Sequence, residues 1–407
     1  MAIRVSTSQS FTQGTNAILD NQSKVAQTQL QLSNGKRILK PSDDPIGTAV
    51  ALNLKQQIDT TAQFIENGNS AKTRLEVQES TLENVTDILG RVRDLTLQAA
   101  NSTLNYQDRN AIAIEIEQRM DELLGLANAQ TSSGDYLFSG FQTSVQPFTR
   151  DGTGTVTYNG DQGVQLVNVN STVQVEKGNS GDAVFMNITT GNGAFVTTAG
   201  STNMGTGIIS AAVLSDPVTY VGDDYSVDFS LDGSGNLVYQ ITGASTGPVY
   251  AAPLPRFDEN AQISFNGITY SISGFPAAGD SFTISPSYSQ DVFTTVNQIV
   301  SALRMPTDSG PQQAAFRNAL NVGMQNLDQA MTHVDDIRSS VGSRLNVIDS
   351  ENDINESLLV QAKSALSLVE DLDYAEAITE LNKRTLALQA AQQSFVKIQN
   401  LSLFEFI

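Results

Sequence analysis

The chain contains no cysteine, which excludes disulfides, thiolate chemistry and cysteine-based zinc sites together. Basic residues are scarce: 23 Lys and Arg stand against 43 Asp and Glu in 407 residues, a formal net charge of −20. Such a surface repels polyanions, so no nucleic acid is expected as a partner. No apolar run approaches the roughly 18 residues that span a bilayer, and no membrane insertion is expected. The start, MAIRVSTSQSFTQGTNAILDNQS, is polar and lacks an apolar h-region, so no cleaved secretory signal is expected.

Catalytic and metal chemistry has little to work with. The single histidine, His333, precedes Asp335 and Asp336 in a helical pattern, where adjacent residues do not face each other, and a solvated surface position is expected. DFSLDGSGN, residues 228–236, places Asp228, Ser230, Asp232 and Gly233 like a calcium loop. Its twelfth position is Tyr239 instead of a glutamate, however, and the alternating entry reads as a hairpin. There is no GxxxxGK and no complete GxGxxG. No catalytic residue, metal site or cofactor is expected, and the chain does not read as an enzyme.

What is present falls into segments with different patterns. Residues 141–290 hold 19 of the 30 glycines and seven of the 11 prolines, but only Arg150, Lys177 and Arg256 among the basic residues. The runs VTY, YSVDFSL, LVYQI and ISFNGITYSIS alternate between turn residues, which predicts antiparallel strands. The flanks are free of proline from Ile46 to Gln146 and from Gln312 onward, and long helices fit both. In the first, Leu75, Gln78, Leu82, Val85, Leu89 and Val92 step by three and four. Ile112, Ile116, Met120, Leu123 and Ala127 follow. In the second, Phe316, Leu320, Gly323, Leu327, Ala330, Val334, Ile337, Val341, Arg344 and Ile348 keep the same alternation, and Arg344 alone is neither small nor apolar. Leu358, Ala362, Ala365, Val369 and Leu372 resume the spacing, which slips a position around Asp371–Tyr374 and then runs through Ile378, Leu381, Leu388, Phe395 and Ile398.

Between the first helix and the first seam lies GKRILKPSDDPIG, residues 35–47. Ser42 or Asp43 is expected to cap the next helix, with Pro45 in its first turn. The acidic run Glu370, Asp371, Asp373 and Glu376 is either a solvated face or a contact for a partner copy, with the basic RVR at 91–93 as its natural counter-charge. The fold class is multidomain α+β: a long α-helical coiled-coil bundle from both chain ends with an inserted all-β domain. The expected division is 1–140, 141–290 and 291–407. The helical stripes either complete one bundle within the chain or pair with neighbouring copies. The second reading makes Leu75, Leu82, Val85, Leu89, Val92, Leu388, Phe395, Ile398, Leu401, Leu403, Phe404, Phe406 and Ile407 a candidate assembly interface.

Both ends resemble a known family. MAIRVST, LQLSNGKRILKPSDDPIGTAVA, ILGRVRDLTLQAAN and SSGDYLFSGFQTSVQPF in the first 148 residues are similar to bacterial flagellar hook–filament junction proteins, relatives of flagellin. So are VGSRLNVID, EDLDYAEAITEL and LQAAQQSFVKIQNLSLFEFI in the last 115 or so. PSDDP and GDYLFSGFQT, with Tyr136, Phe138 and Gly140, look specific to the junction branch, whereas RVRDLTLQAAN and LSLF look shared with flagellin. The resemblance implies a ring or short helical tube of copies at the hook tip, walled by terminal helices, with the β domain outward. It implies an extracellular location reached through the flagellar type III apparatus. The implied partners are the chain itself, the other hook-associated junction protein, flagellin, and a cytoplasmic export chaperone on the C-terminal helices. A flagellin filament subunit and a secreted adhesin or binding module are the alternatives.

Residues 401–407 carry five large apolar side chains, too many for a finished surface. Their removal is expected to leave thermal unfolding of the isolated chain unchanged while preventing attachment between copies, which melting curves and an assembly assay read separately.

Overall fold

A computed structural model describes residues 7–404 apart from 102 and 153, with side chains given for 9, 11–101, 103–152 and 154–397. Six helices frame the chain: α1 (Thr7–Asn34), α2 (Pro45–Ala99), α3 (Tyr106–Ala127), α4 (Val292–Leu303), α5 (Gly310–Glu370) and α6 (Tyr374–Phe404). Local chemistry sets their ends. Gly35, at φ +68°, follows α1, and Pro45 opens α2, where its missing N–H is no loss. The cap is Asp44, one position beyond the two expected, because its carboxylate accepts the Gly47 N–H at 2.8 Å. Asp43 instead accepts the Leu39 and Lys40 N–H groups and shapes the loop. Asn105 and Asp108 form a reciprocal capping box on α3.

The chain forms two compact units, Met1–Glu66 with Glu351–Ile407, and Asn67–Ser350. Each draws on both flanks of the sequence. The larger unit is organised by α2 and α5, which run antiparallel. Lys72 meets Asp349 at 2.7 Å, Arg338 meets Glu79 at 2.9 Å and Arg93 meets Asp328 at 2.7 Å. Between these staples the two seams pack into one core with Ile116, Met120 and Leu123 of α3. Leu75, Leu82, Val85, Leu89 and Val92 are at most 1% exposed. The expectation that they face neighbouring copies is therefore corrected: the chain's own helices seal them, because α5 supplies the partner stripe. Arg344, the polar interruption of that stripe, pairs with Glu176 and donates to Asn179 Oδ1 at 3.0 Å.

Three small pairs surround this core. β1 (Phe148–Arg150) pairs with β2 (Val156–Tyr158), β3 (Leu166–Asn168) with β4 (Gln174–Glu176), and β5 (Ile188–Thr189) with a strand at Ser289–Gln290, β15. Phe148 and Phe185 join the helical core, so residues from about 148 to 188 pack with the helices and not with the sandwich. The YLFSG motif, residues 136–140, packs into the same core. Phe138 is fully buried edge-on to Phe185 at 5.2 Å, and Gly140 adopts φ +71°. A Cβ on Gly140 would fall 2.2 Å from Asp161 Oδ1, so only glycine fits.

A sandwich makes up the rest. One sheet runs β11 (Gly247–Pro248), β10 (Leu237–Gly243), β9 (Tyr225–Leu231), β14 (Ser281–Pro286) and β6 (Phe195–Ala199). The other runs β12 (Gln262–Phe265), β13 (Ile268–Ser273) and β7 (Ile208–Ile209), with β8 (Val213–Leu214) also on β13. Inward rows such as Val227 opposite Ile241 and Phe229 opposite Tyr239 meet Ile263, Ile268 and Ile272 in a single core. The hairpin reading of DFSLDGSGN holds. Asp232 spends its carboxylate on the Ser234 and Asn236 N–H groups and on Asn236 Nδ2.

Asp223 holds the other end of the β9–β10 hairpin. Its carboxylate accepts the N–H groups of Thr246, Ser245 and Asp224 and the Thr246 hydroxyl. These bonds, the Thr246 amide first, pull its pKa down to about 2. A depressed carboxylate stabilises the fold above its unfolded value of about 3.9, and that contribution is lost as pH falls through the folded value. An Asp223→Asn chain should therefore melt below the unsubstituted chain at pH 7. The gap between the two melting temperatures should close as the pH is lowered toward 2.

Candidate assembly site

The smaller unit is built from α1, the start of α2, the end of α5 and α6. Within it α1 and α6 run antiparallel in one register. The rings of Phe11 and Phe395 lie 5.1 Å apart, and Gly14 faces the Phe395 ring, where a Cβ would approach to 2.7 Å. Further along, Arg384 donates to Lys24 O at 3.1 Å and to Thr28 Oγ1 at 2.9 Å. The register closes where the loop after α1 meets the turn between α5 and α6. The Arg37 N–H donates to Glu370 O at 2.7 Å, and the Leu372 N–H donates to Gly35 O at 3.0 Å.

Glu370 is the acidic residue of the 370–376 run that does the binding. Its carboxylate takes Lys36 Nζ at 2.8 Å and Lys55 Nζ at 2.9 Å. The hydrogen bond from Lys36, followed by that from Lys55 and by both charges, outweighs burial and lowers its pKa. The run thus finds its counter-charges within the chain and not in RVR. Arg91 is engaged with Glu115 and Arg93 with Asp328. Asp373 accepts the Ala375 and Glu376 N–H groups at the start of α6.

Apolar burial in this unit is inverted. Among the described residues its only buried apolar side chains are Ile38, Ala51, Ala362 and Ala377. Several larger ones are outside: Ile46 is 79% exposed, Leu368 84%, Leu386 68%, Val360 67% and Leu52 62%, while others such as Ile18, Val25, Leu32, Ile58 and Phe64 are half-buried. The expected seam of α5 holds here at Ala362 but not at its first residue. Leu358 is exposed, while Asn352 and Asn355 occupy buried positions. Of the candidate interface residues in α6, Leu388 and Phe395 are half-buried, Phe395 against Phe11. Ile398, Leu401, Leu403, Phe404, Phe406 and Ile407 lie outside the described side chains. Sequence reasoning missed Ile46, Leu52, Val360, Leu368 and Leu386. Their signal was available as apolar residues off the seam of a helix that already had one.

Other chemistry does not converge. His333 stays partly exposed on α5, and its Nε2 lies 2.7 Å from Ala183 O. Gly243–Gly247, GASTG, has the GxSxG spacing but joins β10 to β11 instead of a strand to a helix, and Asp223 holds the Ser245 amide. Among the described residues no group of three or more acidic or histidine side chains could hold a metal ion, and no helix is long and apolar enough to cross a membrane.

Comparison with known proteins bears on this architecture. Residues 5–143 match the family model of the bacterial flagellin N-terminal helical region, and residues 324–407 match that of the C-terminal helical region. Flagellar hook-associated protein 3 of Escherichia coli is 24% identical over 99% of both chains. A crystal structure of flagellar hook associated protein-3 from Legionella pneumophila is 32% identical with a TM-score of 0.75, covering 78% of this chain and 98% of that one. A crystal structure of Xanthomonas campestris FlgL is 34% identical with a TM-score of 0.71, covering 77% of this chain and 99% of that one. This chain belongs to the flagellar hook-associated protein 3 family. The family is one of structural flagellar proteins related to flagellin through their terminal helices, which are the segments that make up the smaller unit and the α2–α5 seam here.

The two kinds of apolar residue predict different mutational behaviour. Leu82→Ala, in the sealed seam, is expected to lower unfolding free energy by about 3 kcal/mol. The double change Val360→Ser and Leu368→Ser, at exposed positions, should stay within about 0.5 kcal/mol per site. Denaturant titration of the purified chains separates the two.

Proposed function

We propose that this chain is a structural subunit of the bacterial flagellum that assembles with its own copies at the hook tip and joins hook to filament. One observation carries the reading: among the described residues, a unit made of both chain ends fully buries almost no large apolar side chain and leaves several exposed. Helices stabilised mainly by packing cannot rely on such an interior. Each apolar side chain withdrawn from water by a neighbouring subunit contributes about 1.5–3 kcal/mol. A contact of that kind that repeats without closing on itself builds a helix or tube.

In this reading the terminal helices form the wall and the sandwich faces outward. The chain reaches the outside through the flagellar type III apparatus without a cleaved signal, and an export chaperone covers the C-terminal helices beforehand. Its neighbours in the flagellum are the other hook-associated junction protein and flagellin. The role is mechanical, not catalytic.

A clean deletion should leave hooks without filaments and shed filament subunits into the medium, and the unsubstituted gene should restore filaments. The Val360→Ser, Leu368→Ser chain should fold yet restore few. Electron microscopy of hook tips and assay of shed subunits decide it. Normal filaments in the deletion strain would overturn the reading.

A further inference from the structure

Arg74 of α2 and Lys177, just after β4, line one small cavity of the larger unit, and among the described residues neither enters an ion pair. The cavity measures about 10 Å3, room for a single water, and lies between the YLFSG segment and the ends of the β3–β4 hairpin. Arg74 donates from Nη2 to Tyr136 O at 3.1 Å and Leu137 O at 3.2 Å, which leaves Nε and Nη1 without a partner among the described residues. Burial pushes its pKa down and the charge of Asp135 opposes this only in part, as befits a guanidinium with no carboxylate against it. Gln78 is 1% exposed. Its Nε2 donates to Asn179 Oδ1 at 3.1 Å, but its Oε1 has no partner. A Cβ on Gly178 of the lining would lie 3.2 Å from that oxygen and 3.6 Å from Arg74 Nε, so both atoms face the same space. The other nearby cation, Arg344, is already matched by Glu176. At the rim Phe141, 61% exposed, lays its ring over Gly163. A buried acceptor without a donor and a half-buried cation without an anion both cost stability, and the two stand side by side here.

We propose that this pocket receives a carboxylate from a second copy of the chain. Arg74 and Lys177 hold its charge, Phe141 covers the stem of the incoming residue, and one water links the carboxylate to Gln78 Oε1. This contact presupposes the assembly role argued above. The same helix supplies the counterpart. Glu76, Glu83, Asp87 and Asp94 are all exposed and recur at seven, four and seven residues, which sets them within about 20° of one line along α2. None of the four enters an ion pair among the described residues. The cations beside them are taken: Lys72 by Asp349, Arg91 by Glu115, Arg93 by Asp328 and Arg338 by Glu79. Within one chain the line and the pocket do not face each other, since Arg74 lies about 160° round α2 from Glu76. A socket on one face of a helix and its counterpart on another make a heterologous contact, which repeats from copy to copy instead of closing in a pair. On a chain of net charge −20, like charge repels over most of the surface, so an unmatched cation pair fixes where two copies can touch.

Because the chain has no cysteine, single introduced cysteines report the contact. Gln165→Cys marks the mouth of the pocket, and Gly90→Cys marks the acidic line at a point where a side chain meets open space; both leave every proposed charge in place. A strain making the two full-length chains together, one cysteine on each, is treated with a short bis-maleimide at its hook tips. A covalent dimer is expected. Ser234→Cys, in the β9–β10 turn, should give none with Gln165→Cys. Lys177→Glu should leave the melting temperature of the purified chain unchanged, lower the Gln165–Gly90 dimer about ten-fold and restore few filaments in a deletion strain. Adding Glu83→Lys and Asp87→Lys to that chain should recover both dimer and filaments. A dimer no more abundant than the Ser234 control would overturn the contact, and so would normal filaments or a lowered melting temperature from Lys177→Glu. Failure of the charge-exchanged chain to recover would overturn the second copy as the source of the carboxylate. The deletion strain judges the assembly reading separately: filaments absent there but fully restored by Lys177→Glu would fail the pocket alone.

Discussion

Everything in the larger unit depends on one pairing: α2, from the first quarter of the chain, against α5, from the last quarter, with the β region between them. Closing a loop of that length is less prohibitive than it looks, because closure entropy grows only with the logarithm of length. What must be supplied is a specific register. The seam residues at three- and four-residue spacing give two matching stripes, and Lys72–Asp349, Glu79–Arg338 and Arg93–Asp328 mark the alignment at intervals along it. Ion pairs as exposed as these are worth up to about 1 kcal/mol each, so burial provides the energy and the charges bias the alignment.

The sandwich is then held to this frame by amides. Asn318 of α5 accepts the Ile209 N–H and donates to Gly207 O, both at 3.0 Å, so one side chain satisfies the main chain of the short strand β7. Asn326, two turns on, accepts the Gly191 N–H at 2.7 Å. A helix face that presents amides to unpaired strand ends performs two functions: it satisfies buried main-chain groups and it blunts an edge that could recruit another strand. At the far end, Arg109 stacks on Phe316 with its guanidinium 5.0 Å from the ring centroid and donates to Leu104 O and Met305 O. It thus ties the residue before the α3 cap to the loop after α4.

How much of this was legible follows from the range of each signal. The seams from Leu75 to Val92 and from Phe316 to Ile348 were legible because a/d spacing is local and long. The β9–β10 and β12–β13 hairpins were legible because turn chemistry is local as well. The choice between pairing within the chain and pairing between copies was not, since two stripes look alike whichever chain supplies the partner. Asn318 and Asn326 read as ordinary polar residues on helices, and Arg344 and Glu370 stood out without showing what they meet. Their roles depend on partners more than a hundred residues away, or for Glu370 more than three hundred, and no short-range pattern encodes that. The continuation of the α5 seam between Ile348 and Ala362 hides for another reason: polar Asn352 and Asn355 take the inward positions, and hydrophobic spacing does not mark them.

The same contrast separates the two units and gives the protein its division of labour. Where the stripe residues are Leu, Val and Ile, as in Leu75–Val92, the chain completes its own interior and little is left to offer. Where they are Asn, Thr and Ala, as at Asn352, Asn355, Thr61 and Ala362, the inward face is polar or small, and Leu368, Val360 and Leu386 are displaced outward. A helix whose inner face gives modest burial and whose outer face is apolar is marginal alone and stable among neighbours. Nothing beyond the placement of a few leucines and asparagines on the same heptad-like frame is needed to give one unit a self-sufficient interior and to leave the other with apolar side chains exposed.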